Sequence, residues 1–145
     1  MELSCKTSYA LLALLELAAV YQGGETLQIR QIAAMQDIPD RYLEQLLATL
    51  RRGNLVKSQR GAKGGYTLAR EAWQISLLDV VNYLEGADSQ PGAKDACPTN
   101  LEMAVIGEIW QEVHITANSV LQKYTIKDLL EKRNARKQLD IMYYI

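Results

Sequence analysis

The sequence has 145 residues, of which 48% are hydrophobic and 23% are charged, with a net charge of −1. These proportions are typical of one globular domain with a single core, and they exclude a disordered tail, a collagen-like fibre and a coiled-coil rod. The longest apolar stretch, residues 9–21, contains Glu16 and is shorter than the roughly 20 residues that a membrane helix needs. Because the N-terminus also lacks a clean basic region followed by a cleavage site, we expect a cytoplasmic protein with no membrane partner.

Residues that commonly support catalysis are scarce. His114 is the single histidine and has no cysteine or serine partner at motif spacing, which disfavours nucleophilic triads and zinc sites built on several histidines. The sequence contains neither a Walker-type phosphate loop nor a G-x-G-x-x-G turn between a strand and a helix. We therefore predict that the protein is not an enzyme.

Charge is distributed unevenly along the chain. Residues 1–70 carry nine Lys/Arg against six Asp/Glu, whereas residues 71–145 carry seven against eleven. A basic stretch without acids is expected on a surface that neutralises phosphates, although a solvated basic face is the alternative that charge alone leaves open. The basic residues of the stretch 51–70 are Arg51, Arg52, Lys57, Arg60, Lys63 and Arg70.

Three helices are predicted before the basic stretch. Residues 3–21 are apolar nearly all round, which is typical of a helix buried on several faces. A shorter helix covers about residues 28–36, and Pro39 predicts a tight turn before a third helix at about residues 40–52. Two short helices joined by such a turn form a helix-turn-helix, whose second helix can enter the major groove of DNA.

The third helix is predicted to have two different faces. Its buried stripe at helical spacing comprises Leu43, Leu46, Leu47 and Leu50. On the other face, arginine and glutamine can make bidentate contacts with base edges, and a small alanine permits close approach to DNA. Two packed helices with a merely solvated outer face are the alternative. The outer face comprises Arg41, Gln45, Ala48 and Arg52.

A β-hairpin with a basic tip is predicted directly after this helix. Residues 55–59 and 66–68 have strand character, and the glycine-rich turn between them contains Arg60 and Lys63. A helix-turn-helix followed at once by a hairpin is the order of a winged helix. In that arrangement the two basic residues meet phosphate or the minor groove.

A specific motif runs through the third helix and the hairpin. It consists of Tyr42-Leu43-Glu44-Gln45-Leu46-Leu47, Leu50-Arg51, Leu55-Val56, Ser58, Arg60-Gly61 and Gly64-Gly65-Tyr66-Thr67-Leu68. This motif resembles the signature of the Rrf-type winged helix-turn-helix transcriptional regulators, the group that includes IscR, NsrR and CymR. The resemblance starts near Ser4, has Tyr9-Ala10 in the expected place and becomes weaker after Leu84.

The resemblance implies a homodimeric transcription factor. Its recognition helix contributes Glu44 and Gln45 to base selection, and its wing inserts Arg60 and Gly61. Because two recognition helices and two wings act together, we expect the partner to be double-stranded DNA with a partly palindromic operator. The complete set of predicted DNA-contact residues is Tyr9, Arg41, Tyr42, Glu44, Gln45, Arg52, Ser58, Arg60, Gly61 and Lys63.

The second half of the chain contains three more predicted helices. Ser76 and Thr125 each begin a capping box, and the second box precedes a last short helix. The long helix between them, residues 101–123, has an apolar stripe suited to a partner helix, or else it folds back onto its own winged domain. The resemblance favours the dimer. After the last helix we expect a solvated basic run at Lys132, Arg133, Arg136 and Lys137.

Two cysteines, Cys5 and Cys97, are the candidate sensing residues. The resemblance implies a cluster site with three cysteines near the start of the long helix, but Ala104 and Gly107 occupy the places of the last cysteine and of the histidine that some members use. We predict that Cys97 works with Cys5 of the partner subunit, as ligands of a labile 2Fe-2S cluster completed by other ligands or as neighbouring thiols. Two inert thiols are the alternative.

The predicted fold is mainly α with a small β-hairpin wing, and it combines a winged helix-turn-helix domain with a long dimerisation helix. We expect the winged domain at residues 1–86, a sensor-type loop at 87–100, and the dimerisation helix and C-terminal segment at 101–145. The predicted function is sequence-specific transcriptional repression by a homodimer. A cluster-free regulator that responds to a protein or metabolite and a winged-helix protein-interaction module are the alternatives.

Overall fold

The computed structural model describes residues 3–62, 64–85 and 100–143. It confirms the predicted fold class, because the described residues form helices and one antiparallel hairpin. The elements in chain order are α1 (Cys5–Tyr21), α2 (Ile29–Gln36), α3 (Asp40–Arg52), β1 (Val56–Gln59), β2 (Gly65–Leu68), a short 3-10 helix (Ala72–Gln74), α4 (Leu77–Glu85), α5 (Leu101–Lys123) and α6 (Ile126–Tyr143).

Helix α1 lies at the centre of the core, as its sequence predicts. Ser4 caps its N-terminus, since the Ser4 hydroxyl accepts a hydrogen bond from the Thr7 amide at 3.2 Å. The helix contacts α2, α3, α4, α6 and β2, so its small and leucine side chains are covered from several sides. Its buried hydrophobic residues are Ala10, Ala13, Leu14, Leu17 and Ala18.

The predicted leucine stripe of α3 is confirmed, since all four of its leucines are buried. The turn before α3 contains Asp37 in the left-handed conformation, with φ of 54°, and it delivers Ile38 into the core. Helices α2 and α3 pack against each other across this turn, and the opposite face of α3 remains open.

The hairpin is joined to the start of α2 by an additional bridge that the sequence did not predict. Within the hairpin, Val56 pairs with Leu68. The Tyr66 amide donates to the Leu27 carbonyl at 2.7 Å, and the Leu27 amide donates to the Tyr66 carbonyl at 3.0 Å. A β-carbon on Gly65 would lie 2.6 Å from the Leu27 oxygen, so glycine is required for this close approach.

Both predicted capping boxes are present. The Asp79 amide donates to the Ser76 hydroxyl at 3.1 Å, and the Asp128 amide donates to the Thr125 hydroxyl at 3.3 Å. An antiparallel bridge between Ser76 and Thr125 also joins the two boxes, and beside it the Ile126 amide donates to the Ile75 carbonyl at 2.9 Å. This bridge fixes the start of α6 next to the start of α4.

The C-terminal helix differs from the sequence-based expectation. It has 18 residues instead of forming a short helix, and it packs against α1. Ile126 is fully buried in the core of the preceding domain. Arg133, expected in a solvated run, instead points inward, and its Nη1 lies 2.9 Å from Glu16 Oε1. The reason is that α6 packs against α1, and Arg133 then lies opposite the Glu16 carboxylate of α1.

Helix α5 has no buried residue. Trp110 is 68% exposed, and most other large apolar side chains of the helix are also exposed, whereas Met103 and Leu121 are partly buried. Over the described residues, the winged domain therefore does not bury this stripe. Residues 86–99, including most of the predicted sensor loop, lie outside the described residues. None of the described helices is long and apolar enough to cross a membrane.

Candidate nucleic-acid interface

The outer face of α3 has the character predicted for a recognition helix. Arg41, Gln45 and Arg52 are exposed, whereas Ala48 is partly buried. Glu44 is also exposed, at the edge of this face. Because the opposite face is fixed in the core by leucines, these side chains have a rigid support and remain free to contact a large ligand.

An aromatic pair holds the first turn of α3 against α1. The rings of Tyr9 and Tyr42 have centroids 5.6 Å apart and are inclined by 78°, an edge-to-face arrangement that aromatic rings prefer. Both side chains are partly buried against the core. This packing shows that the two tyrosines orient α3, and their direct contact with DNA stays a prediction.

A hydrogen bond links α3 to the wing. Arg51 Nη1 donates to the Ser58 hydroxyl at 3.2 Å, and both residues are exposed. The structure thus brings the predicted contact residue Ser58 beside the end of the recognition helix. Sequence reasoning missed this pair, although Arg51 and Ser58 both belong to the Rrf-type motif and Arg51 lies in the basic stretch.

The tip of the wing is an exposed turn built on glycine. The Gly64 amide donates to the Gly61 carbonyl at 2.9 Å, which closes the turn. Gly61 has φ of 109°, a conformation that residues with a side chain rarely adopt. Arg60 precedes it and is exposed, as predicted. Lys63 lies outside the described residues.

An open groove of about 990 Å³ lies between the start of α2 and the hairpin. Its walls include Arg30, Gln31 and Gln59, together with glycines of the α1–α2 loop and the wing. Among the described residues, the lining contains neither histidine nor cysteine. The polar groups of the groove can contact a ligand.

The described residues do not supply the ligand set of an iron-sulfur cluster. Cys5 is exposed in the first turn of α1, whereas Cys97 lies outside the described residues. Ala104 and Gly107, at the places where the resemblance implies ligands, are exposed on α5 and carry no donor atom. Over residues 3–62, 64–85 and 100–143, no three His, Cys, Asp or Glu side chains are grouped closely enough to hold a metal ion.

Comparison with known families identifies the fold and its general role. A family model described as Rrf2, iron-dependent transcriptional regulator, matches residues 3–132. The chain belongs to the Rrf2 family of transcriptional regulators. It is 33% identical over 145 residues to the regulator CymR of Bacillus subtilis strain 168, with complete coverage of both chains. It is 31% identical over 136 residues to IscR of Cereibacter sphaeroides, covering 90% of this chain and 88% of that relative.

Solved structures of Rrf2-type regulators have the same architecture. IscR of T. potens matches with a TM-score of 0.75 at 32% identity, covering 92% of this chain and 88% of that one. CymR, the global cysteine regulator of B. subtilis, matches with a TM-score of 0.74 at 32% identity, covering 91% and 98%. The resemblance found in the sequence is therefore confirmed, and this Rrf2 family member is a DNA-binding transcriptional regulator.

Proposed function

We propose that this regulator is a cytoplasmic repressor that binds a partly palindromic operator as a homodimer, with α3 in the major groove and the wing at phosphate or the minor groove. The observation that carries the proposal is the two-faced α3, whose leucines are buried while Arg41, Gln45 and Arg52 are exposed. The basic wing supports it because the Arg51–Ser58 hydrogen bond joins wing and recognition helix into one surface. Arginine and glutamine are residues that read base edges in the major groove.

The exposed stripe of α5 supports the homodimer. Six of its residues, at positions 106, 110, 113, 117, 120 and 124, recur at alternating spacings of four and three, the pattern by which two helices pack side by side. In a second copy of the chain the same stripe is available, so a symmetric pairing buries both. The stripe comprises the exposed Ile106, Ile109, Trp110, Val113 and Val120 and the partly buried Ala117, Leu121 and Tyr124, of which Tyr124 directly follows α5.

We propose a separate role for each of three segments of the chain. Residues 1–86 read DNA, residues 87–100 form the candidate sensor segment, and residues 101–145 contain the dimerisation helix and C-terminal segment. Ile126 of the third segment nevertheless packs in the core of the first. The dimer and the DNA-binding unit are therefore joined by shared packing as well as by the chain.

The signal remains a separate proposal. A sensing role for Cys97 with Cys5 of the partner subunit is supported by the exposure of Cys5 at the start of α1. Because Ala104 and Gly107 offer no donor, we assign no complete ligand set to a cluster. A cluster-free regulator that responds to a protein or a metabolite is the alternative.

The decisive experiment is selection of preferred duplexes from a randomised pool with the wild-type protein, followed by titration of variants. Gln45→Ala is expected to relax sequence choice by about 1 to 3 kcal/mol, because a bidentate base contact is lost. Arg60→Ala is expected to weaken binding to all duplexes alike and to reduce the slope of log affinity against log salt by about 1.

Matched controls exist on α6, where Gln138 and Arg136 are exposed outside the α3 and hairpin surface. Gln138→Ala and Arg136→Ala are expected to bind the selected duplex as the wild type does. Binding that shows neither sequence preference nor salt dependence would contradict the proposal and favour a winged-helix protein-interaction module.

A further inference from the structure

The C-terminus of α3 is closed by contacts from two sources. The last four carbonyls of a helix have no partner within the helix, so each one needs another donor. Backbone amides that follow the helix satisfy three of these carbonyls. The Gly53 amide donates to the Thr49 carbonyl. The Leu55 amide donates to the Leu50 carbonyl and the Asn54 amide to the Arg51 carbonyl, each at 3.0 Å. Asn54 has φ of 57°, which makes this a Schellman motif.

The fourth carbonyl, that of Arg52, receives its hydrogen bond from a different helix. The Tyr83 hydroxyl, on α4, donates to the Arg52 oxygen at 3.0 Å. The other three hydrogen bonds at this helix end come from backbone amides, whereas this one comes from a side chain of another helix. The backbone of Arg52, whose side chain lies on the outer face of α3, is therefore held by α4.

Close packing at Gly53 shows that this contact is built into the chain. Gly53 is buried and has φ of −84°, which residues with a side chain also adopt, so its conformation does not require glycine. A β-carbon at this position would lie 2.6 to 2.8 Å from three atoms of the Tyr83 ring. Glycine is needed here because the ring occupies the space where a side chain would be.

Helix α4 is itself fixed at its end. The Glu85 carboxylate accepts hydrogen bonds from the hydroxyls of Ser4 at 3.0 Å and Thr7 at 3.1 Å, both at the N-terminus of α1. Tyr83 lies two residues before this anchor. It therefore projects from a supported position onto the end of the recognition helix, and α4 also contacts α5.

We infer that Tyr83 is a positioning residue for DNA recognition: it holds the end of α3, and with it Arg52, in the orientation that reads the operator. This inference rests on the proposed role of α3 as the recognition helix. Tyr83 acts through the backbone of Arg52 and makes its contribution without a direct contact to a base. Its removal therefore weakens specific binding more than non-specific binding.

The test measures affinity for a duplex selected by the wild-type protein and for a scrambled duplex of the same length. Tyr83→Phe keeps the ring and removes the hydroxyl. We expect it to lower affinity for the selected duplex by about threefold to tenfold, the effect of one net hydrogen bond, and to leave affinity for the scrambled duplex unchanged. Tyr143→Phe is the matched control, because Tyr143 is 88% exposed on α6.

A second set of variants tests the packing. Gly53→Ala is expected to lower specific affinity because its β-carbon meets the Tyr83 ring. In a Tyr83→Ala background the same substitution is expected to cause no further loss, because the space is empty. The inference is overturned, and the proposed function is left intact, if Tyr83→Phe binds the selected duplex as the wild type does or loses affinity for both duplexes equally. A wild-type protein that prefers no duplex overturns the proposed function together with it.

Discussion

Replacing Arg133 with methionine tests how α6 is attached to the rest of the molecule. Methionine keeps an apolar stem of similar length and removes the charge. In the structure Arg133 Nη1 lies 2.9 Å from Glu16 Oε1, and the same carboxylate oxygen accepts a hydrogen bond from Gln36 Nε2 at 2.6 Å. Arg133→Met therefore leaves the Glu16 carboxylate with an amide partner but without its counter-charge.

The size of the effect follows from burial. The side chains of Arg133 and Glu16 are only 21% and 14% exposed, so the remaining carboxylate cannot be fully hydrated. Breaking a buried pair costs about 3 to 5 kcal/mol when one charge is left behind. Partial exposure of both side chains lowers this cost. The substitution also removes the buried Arg133 Nε, which has no hydrogen-bond partner among the described residues, and this lowers the cost further. We expect a loss of about 2 kcal/mol in the free energy of unfolding.

Chemical denaturation at neutral pH measures this loss, and the molecule provides a matched control. Lys127 and Glu131 form an ion pair at 3.8 Å with side chains 56% and 63% exposed. Lys127→Met is expected to cost about 0.2 to 0.5 kcal/mol, as for exposed pairs on helices. The double variant Glu16→Gln/Arg133→Met is expected to recover at least about 1 kcal/mol of the loss, because no unpaired charge remains. Equal costs for Arg133→Met and Lys127→Met would refute the reasoning.

Three further predictions concern the dimer, the wing and the cysteines. Trp110→Glu is expected to yield monomers with weak DNA binding, because it places a charge in the proposed apolar interface. If sedimentation still shows a dimer, the interface does not lie on α5. Gly61→Ala is expected to strain the wing by about 1 to 3 kcal/mol and to lower DNA affinity, as melting and titration measure; unchanged affinity at a lowered melting temperature would contradict this. A sensing role for Cys97 with Cys5 predicts that Cys5→Ala and Cys97→Ala change DNA binding, and cluster ligation further predicts iron and sulfide in protein purified without oxygen. Colourless wild-type protein with unchanged DNA binding in both variants removes the sensing role.

Much of the fold was predictable because its signals are local. Helix α3 occupies residues 40–52 and α5 occupies 101–123, the ranges predicted from their periodicity. The capping boxes at Ser76 and Thr125 were also recognisable, because each requires only a few adjacent residues. The exposed face of α3 followed from the position of its leucines, since burial of one face leaves the opposite face to solvent.

The contacts that join distant elements were not predictable in this way. The bridge between Leu27 and Tyr66, the bond from Tyr83 to Arg52, and the pairing of Arg133 with a carboxylate 117 residues away have no periodic signature. Single polar residues gain or lose a partner according to how helices dock, and docking depends on the whole core. The exposure of the α5 stripe was likewise decided only by how residues 3–62, 64–85 and 124–143 pack, since they leave it largely uncovered.

The sequence by itself thus determined the helices and hairpin of the winged domain, the range of α5, the buried face of α3 and the family resemblance, because periodicity, caps and a contiguous motif are properties of neighbouring residues. Only the tertiary structure decided which polar side chains leave the solvent and which helix ends are held by other helices. The physical reason is that such contacts gain free energy only where burial and geometry coincide, and both conditions arise from packing between residues far apart in the chain.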